Sequence, residues 1–274
     1  MADPHLVPLA TGVLAHLDPE PGHGRTNAGV VVDADGVTVI DSLMVASQWE
    51  PFAQAVDALG VPVPRLVLTS SHIEFSGGTS RFRLSAVYGS RQASVLLDQP
   101  ADPEVFRRLH PGFAPQLGDD LRTRPVSHVV DEPAWLSPAA LAVPTGGQSL
   151  QNLVVVVPGA DLCFAGAMCS FGVTPAAYDG DPAAWADALD TIRDLAPLIV
   201  PGHGPIGGEE EVDALQAYLR ACVAAEGDVA RLAPGPWERW AGREWDVVNV
   251  ERAAMLAAGD PTPPPTLLRR LGLA

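Results

Sequence analysis

Twice along this chain a block of short apolar runs gives way to amphipathic segments, and that repetition limits the possible folds more than any other feature. In the first block, residues 28–32 and 37–40 flank Asp33-Ala34-Asp35-Gly36, a strong hairpin signal. Residues 48–59 follow with Phe52, Val56 and Leu59 at helical spacing, then 66–68 and 85–88 read as short buried strands. Residues 91–123 mix polar, proline and aromatic positions and predict helices and loops over one side, with a strand at 125–130. The second block holds runs at 140–143, 153–157 and 162–164. After it, 183–195 places Trp185, Leu189, Ile192 and Leu195 on one helical face, and 198–200 is a strand entering Pro201-Gly202-His203-Gly204. Residues 209–226 predict a helix with an acidic first turn, as the helix dipole favours. A last helix is expected over about 246–258, and 261–265 reads as an extended tail. Each strand block needs a second layer to cover its apolar face. The expected class is α+β, two β-sheets packed face to face between outer helices. One domain is expected over 1–274, its core about 25–210 and its C-terminal helices at 209–274.

Charge and cysteine content remove several function classes. All 17 basic residues are arginine, so a Schiff-base or P-loop lysine is excluded. A formal net charge of −16 argues against nucleic acid or an anionic membrane as partner and leaves a small molecule as the expected one. Cys163, Cys169 and Cys222 form neither a disulfide framework nor a C-x-x-C zinc module. The run at 153–157 is far too short to span a bilayer. Acidic residues and prolines stand where a signal peptide would need a basic start and an apolar run, which makes the cytoplasm the expected location.

Several stretches, in order, resemble the metallo-β-lactamase superfamily. Residues 27–41 resemble its opening hairpin, whose second strand ends in an aspartate, here Asp41. Residues 66–82, LVLTSSHIEFSGGTSRF, are similar to the metal loop that the family writes T-H-x-H-x-D-H-x-G-G. Residues 145–158 resemble its G-H-T-x-G-(D/N) stretch and the following strand, and 162–167 the strand that normally ends in Gly-Asp. Residues 199–205, IVPGHGP, are similar to the segment with the last metal-binding histidine. The resemblance implies an αββα sandwich and, by family habit, hydrolysis of a small ester, lactone, thioester or lactam.

The ligand positions implied by that resemblance depart from the pattern. Ser70, Phe75 and Gln148 stand at histidine positions, Glu74 at an aspartate, and Ala167 at the bridging aspartate; His72 and His203 are kept. A catalytic zinc takes about three protein ligands and an open position. Neither family metal position reaches three, so no metal is expected. His72, Glu74 and His203 would still suit a shifted mononuclear zinc site.

The leading expectation is a metal-independent small-molecule enzyme doing acid–base work on a carbonyl-containing substrate: cyclisation, elimination, isomerisation or hydrolysis, in a setting such as specialised metabolism. His72, Glu74 and His203 would move protons. Ser70, Phe75, Gln148 and Cys169 would contact the substrate, and Phe171 and Tyr178 would extend an aromatic wall, although burial as a small apolar residue is the default for Cys169 and core packing explains the aromatics equally well. The alternatives are a mononuclear zinc hydrolase of an ester, lactone or thioester, and a non-catalytic ligand-binding protein. His5, His16, His23, His110 and His128 match no motif and are expected at the surface or in caps.

Overall fold

Residues 6–273 are described in a computed structural model of the chain. Seven strands make the first sheet, in spatial order β1 (Val7–Ala10), β2 (Val13–His16), β3 (Ala28–Asp33), β4 (Gly36–Ile40), β5 (Arg65–Val67), β6 (Ala86–Gly89) and β7 (His128–Val129). Up to β4 the neighbours pair antiparallel, and from β4 to β7 they pair parallel. The second sheet runs β12-β11-β10-β9-β8, with β8 (Ala134–Ser137), β9 (Ala140–Thr145), β10 (Asn152–Val157), β11 (Leu162–Ser170) and β12 (Leu198–His203). Among these only β11 and β12 pair parallel.

Three apolar layers hold the sheets and helices together. Between the sheets, Val31, Ile40 and Val67 pack on Leu153, Val155, Phe164 and Val200. Outside the first sheet, α1 (Ala46–Asp57) buries Phe52 and Val56 against Val30, Val39 and Leu66. Outside the second, α5 (Pro182–Leu195) and α6 (Glu209–Ala224) bury Trp185, Leu189, Leu215 and Leu219 against Val154, Cys163 and Met168. This is the αββα sandwich that the alternating blocks and the family resemblance predict. Smaller helices α2 (Ile73–Ser76), α3 (Arg91–Leu97) and α4 (Pro103–Leu109) line one end, and α7 (Asp246–Ala257) and α8 (Pro265–Arg270) complete the chain. No helix among the described residues is long and apolar enough to cross a membrane.

Several parts of the chain differ from the sequence expectation, among them β8, which was not expected, and β7, shorter than the strand expected over 125–130. The β1–β2 hairpin, turning at Gly12 with φ of 72°, escapes notice because proline and polar residues interrupt its alternation. Strand β11 runs on to Ser170 rather than ending at 164, and its register on β12 shifts on both sides of Gly166. The tail after 264 is helical, with Pro265 at the first position of α8, where a missing N–H costs nothing.

The topology gathers β4, β5 and β12 so that their C-terminal ends open at one end of the sandwich, where the loops carrying Asp41, Ser70–Glu74 and His203 lie. Asn27 ties that end together. Its Nδ2 donates to the carbonyls of Pro201 (2.9 Å) and Gly204 (2.8 Å), and its Oδ1 accepts from Asp18 N–H at 3.0 Å. Gly204 has φ of 87°, and a Cβ there would run into the Phe171 carbonyl, so the turn after His203 requires glycine.

Asn27→Asp would set a buried carboxylate against two carbonyl oxygens. A loss of about 3 kcal/mol is expected, measured by urea unfolding, with Asn27→Ala costing less.

Candidate functional site

Two separate hydrogen-bonded groups occupy the strand ends. The first surrounds His72, at the start of α2. Its Nε2 lies 2.9 Å from Asp179 Oδ2, and its Nδ1 lies 3.2 Å from Gln148 Nε2. A backbone group fixes the polarity of this chain. Ser149 N–H donates to Asn152 Oδ1 (3.0 Å), Asn152 Nδ2 donates to Gln148 Oε1 (2.9 Å), and Gln148 Nε2 must therefore donate to His72 Nδ1. That leaves Nε2–H of His72 to donate to Asp179. Tyr178 stacks on the His72 ring, centroids 5.2 Å apart and planes 11° from parallel. Burial opposes a charged His72, but Asp179, by charge and hydrogen bond, and then Glu74 outweigh it and raise its pKa. The hydrogen-bond chain favours the neutral ring, because a proton on Nδ1 would face the Gln148 N–H.

The second group centres on Glu74, which is buried. Its Oε1 accepts from Gly24 N–H and from His203 Nε2 (3.1 Å), and lies 3.8 Å from His110 Nδ1. Thr26 Oγ1 donates to the Glu74 carbonyl at 2.9 Å, which fixes the loop bearing Gly24 against α2. Burial works against the carboxylate's charge, yet His110 and His203 outweigh it, and Glu74 stays ionised well below the ordinary carboxylate range. Burial pushes the His23 pKa down to about 3, and lowers His110 too, against the pull of Glu74. Nε2 of His23 and Nδ1 of His110 are buried without a hydrogen-bond partner among the described residues.

These two histidines correct the sequence expectation. Both were expected in surface or capping positions; they instead complete the Glu74 cluster, His23 from the loop before β3 and His110 from the end of α4. His128 is exposed as expected, and His5 lies outside the described residues. Asp179 went unnoticed because it comes from a loop with no motif; its only sequence signal is the Asp-Gly-Asp turn before α5.

The remaining sequence candidates divide. Phe75 stands edge-on to His203, centroids 5.7 Å apart, and lines a cavity of about 20 Å³ with His72, Glu74, Gln148, Ala167 and His203. Ser70 is buried beneath the loop, its Oγ accepting from His72 N–H at 3.2 Å. Cys169 is no wall residue: it lies in the core between β11 and the outer helices, where burial pushes its thiol pKa well up. Phe171 belongs to the same core, whereas Tyr178 does reach the site. Gly77 and Gly78 allow α2 to press on the 42–44 segment, where Cβ atoms would strike the Met44 and Ser42 carbonyls.

Residues 21–203 match the sequence profile of the metallo-beta-lactamase superfamily. The chain belongs to that superfamily. Solved structures agree on the fold. The metallo-beta-lactamase FIM-1 from Pseudomonas aeruginosa, in its mono-zinc form, aligns at 19% identity with a TM-score of 0.60, over 78% of this chain and 94% of that one. VMB-1 aligns at 18% identity and 0.63 over 79% and 96%, and the enzyme from Hirschia baltica at 22% and 0.59 over 78% and 96%.

The donor set does not fit a zinc ion such as the one in the mono-zinc FIM-1 structure. Both ring nitrogens of His72 are engaged by Asp179 and Gln148, so neither offers a free lone pair. Glu74 and His203 face each other directly at 3.1 Å. No group of three His, Cys, Asp or Glu among the described residues could hold a metal ion.

Behind the loop, Asp41 is buried with φ of 61°, and its oxygens accept from Thr69 N–H (2.8 Å) and Oγ1 (2.7 Å). Burial pushes its pKa up to about 7, against the pull of these hydrogen bonds. Because the folded value lies above the unfolded one, near 3.9, its stability contribution is complete below about pH 4 and lost as pH rises through 7. On going from about pH 8 to about pH 5, the wild type should therefore gain stability relative to Asp41→Asn. Urea unfolding of both proteins checks this; parallel pH profiles would assign the titration elsewhere.

Proposed function

We propose that this chain is a small-molecule enzyme that performs acid–base chemistry on a carbonyl-containing substrate without a bound metal. The observation that carries this reading is the direct, buried Glu74–His203 contact at the strand ends, where the fold family places its metal chemistry. Glu74 is ionised, so His203 Nε2–H is its donor, and a carboxylate–imidazole pair of this kind can pass a proton to and from a bound molecule directly or through one water or a neighbouring imidazole. His72, held by Asp179 and Gln148, presents an oriented ring beside it. Phe75 and Ala167 lower the polarity around the pair, which strengthens its electrostatics. Cyclisation, elimination, isomerisation and hydrolysis all need such proton transfers.

The test is turnover of a panel of esters, lactones, thioesters and β-dicarbonyl compounds with and without chelator. Activity should survive chelation, and elemental analysis should find well under one zinc per chain. Removing one acid–base group typically costs about 10²–10⁴ in rate. His203→Ala, Glu74→Gln and His72→Ala should each lower turnover by that order while the melting curve stays cooperative. Loss of activity on chelation, or near-wild-type turnover in all three variants, would overturn the reading.

A further inference from the structure

We propose that the molecule this protein acts on binds not in the family's metal cavity but in a second cavity beside it, of about 290 Å³, and that His110 is the acid–base group facing it there. The role given to His110 rests on the functional reading above; the pocket itself does not.

Size separates the two cavities. At about 20 Å³ the small one, around Glu74 and His203, has room for little more than one water. An apolar cavity of about 150 Å³ accepts benzene, so about 290 Å³ suits a molecule of up to roughly two fused rings. His72 lines both cavities and forms the partition between them. Larger grooves, of about 590 and 440 Å³, lie toward the opposite strand ends, away from the buried histidines.

The lining sets the ligand class. Leu97, Phe106 and Leu109, from α3 and α4, supply apolar walls. Among the described residues the only carboxylate or guanidinium lining the cavity is Asp102, an exposed helix cap, so an anionic substrate finds no counter-charge from them there. Uncharged polar groups come from Ser71, Ser76, Gln99 and Thr123, and His72, His110 and Tyr178 add ring and hydroxyl groups. Burial raises the Tyr178 pKa well above its ordinary value, so its hydroxyl remains a neutral donor. The class that fits is an uncharged, mainly apolar molecule carrying a hydroxyl or carbonyl.

His110 joins this pocket to the Glu74 cluster. It lines the cavity, is 7% exposed, and its Nδ1 lies 3.8 Å from Glu74 Oε1 with no hydrogen-bond partner. In its neutral form the ring can accept a proton from a molecule in the pocket that it lines. A proton taken from the substrate's C–H or O–H would move to the imidazole while the electron pair stays on the substrate. Glu74 stabilises the resulting imidazolium, and return of the proton at another atom completes an isomerisation with no co-reactant.

The probe is 2-naphthol, two fused rings with one hydroxyl, titrated into the full chain by calorimetry. Saturable binding is expected. Ala101→Trp and, independently, Thr123→Phe fill the cavity from partly exposed wall positions, and each should weaken binding at least about tenfold. Ala167→Val, which fills the small cavity instead, should leave affinity within about twofold. The ¹⁵N ring resonances of His110 should shift on binding, and those of His23 should not. No saturable binding, loss in Ala167→Val but not in the wall variants, or an unmoved His110 resonance would overturn the proposal. If 2-naphthol binds as expected but no panel compound turns over, the pocket stands and the catalytic reading fails.

Discussion

The site depends on one costly condition: Glu74 keeps its charge while almost out of reach of water. An ionised carboxylate in such a place costs several kcal/mol unless donors and charges surround it. Gly24 N–H and His203 Nε2–H supply the donors, and His110 stands beside them. Each comes from a different part of the chain, so satisfying one carboxylate fixes the loop before β3, the end of β12 and the end of α4 together. Gln48 Nε2 holds the Gly24 carbonyl at 2.7 Å, and Asn27 holds the turn after His203, so the donors are themselves anchored.

The residues at the positions that the family resemblance assigns to metal ligands make specific contacts of their own. An amide at Gln148 can accept from Asn152 and donate to His72 at once, which turns a ligand position into a link in a directed hydrogen-bond chain. Phe75 packs edge-on to His203 instead of offering a lone pair. Beyond the profile match, which ends at His203, the C-terminal segment adds a further wall: Trp245 lies 5.0 Å from the His23 ring, and the Arg270 guanidinium sits 4.3 Å over Trp245. That segment closes over the Glu74 cluster and contributes to the burial that depresses the His23 pKa.

Much of the fold was legible because its signals are local. Hairpin residues, apolar runs and helical spacing marked β3, β4, α1, β10, α5 and α6. The positions of His72, Glu74, Gln148 and His203 were legible too, since each follows a recognisable strand. Cys169 could be read either as a pocket residue or, by default, as a small buried apolar one; it enters the core on the stretch of β11 whose register on β12 shifts between Gly166 and Ser170.

The sequence by itself determined that two strand blocks must pack between helices, and that the usual ligand positions carry serine, phenylalanine, glutamine and alanine. Only the tertiary structure decided what surrounds the buried Glu74 carboxylate. His23, His110 and Asp179 come from loops whose local sequence carries no pattern, and they acquire meaning when the sandwich brings them to Glu74 and His72. The physical reason is that periodicity records which face of an element is apolar, whereas pairing a buried charge depends on distances between segments up to 129 residues apart, as for Glu74 and His203.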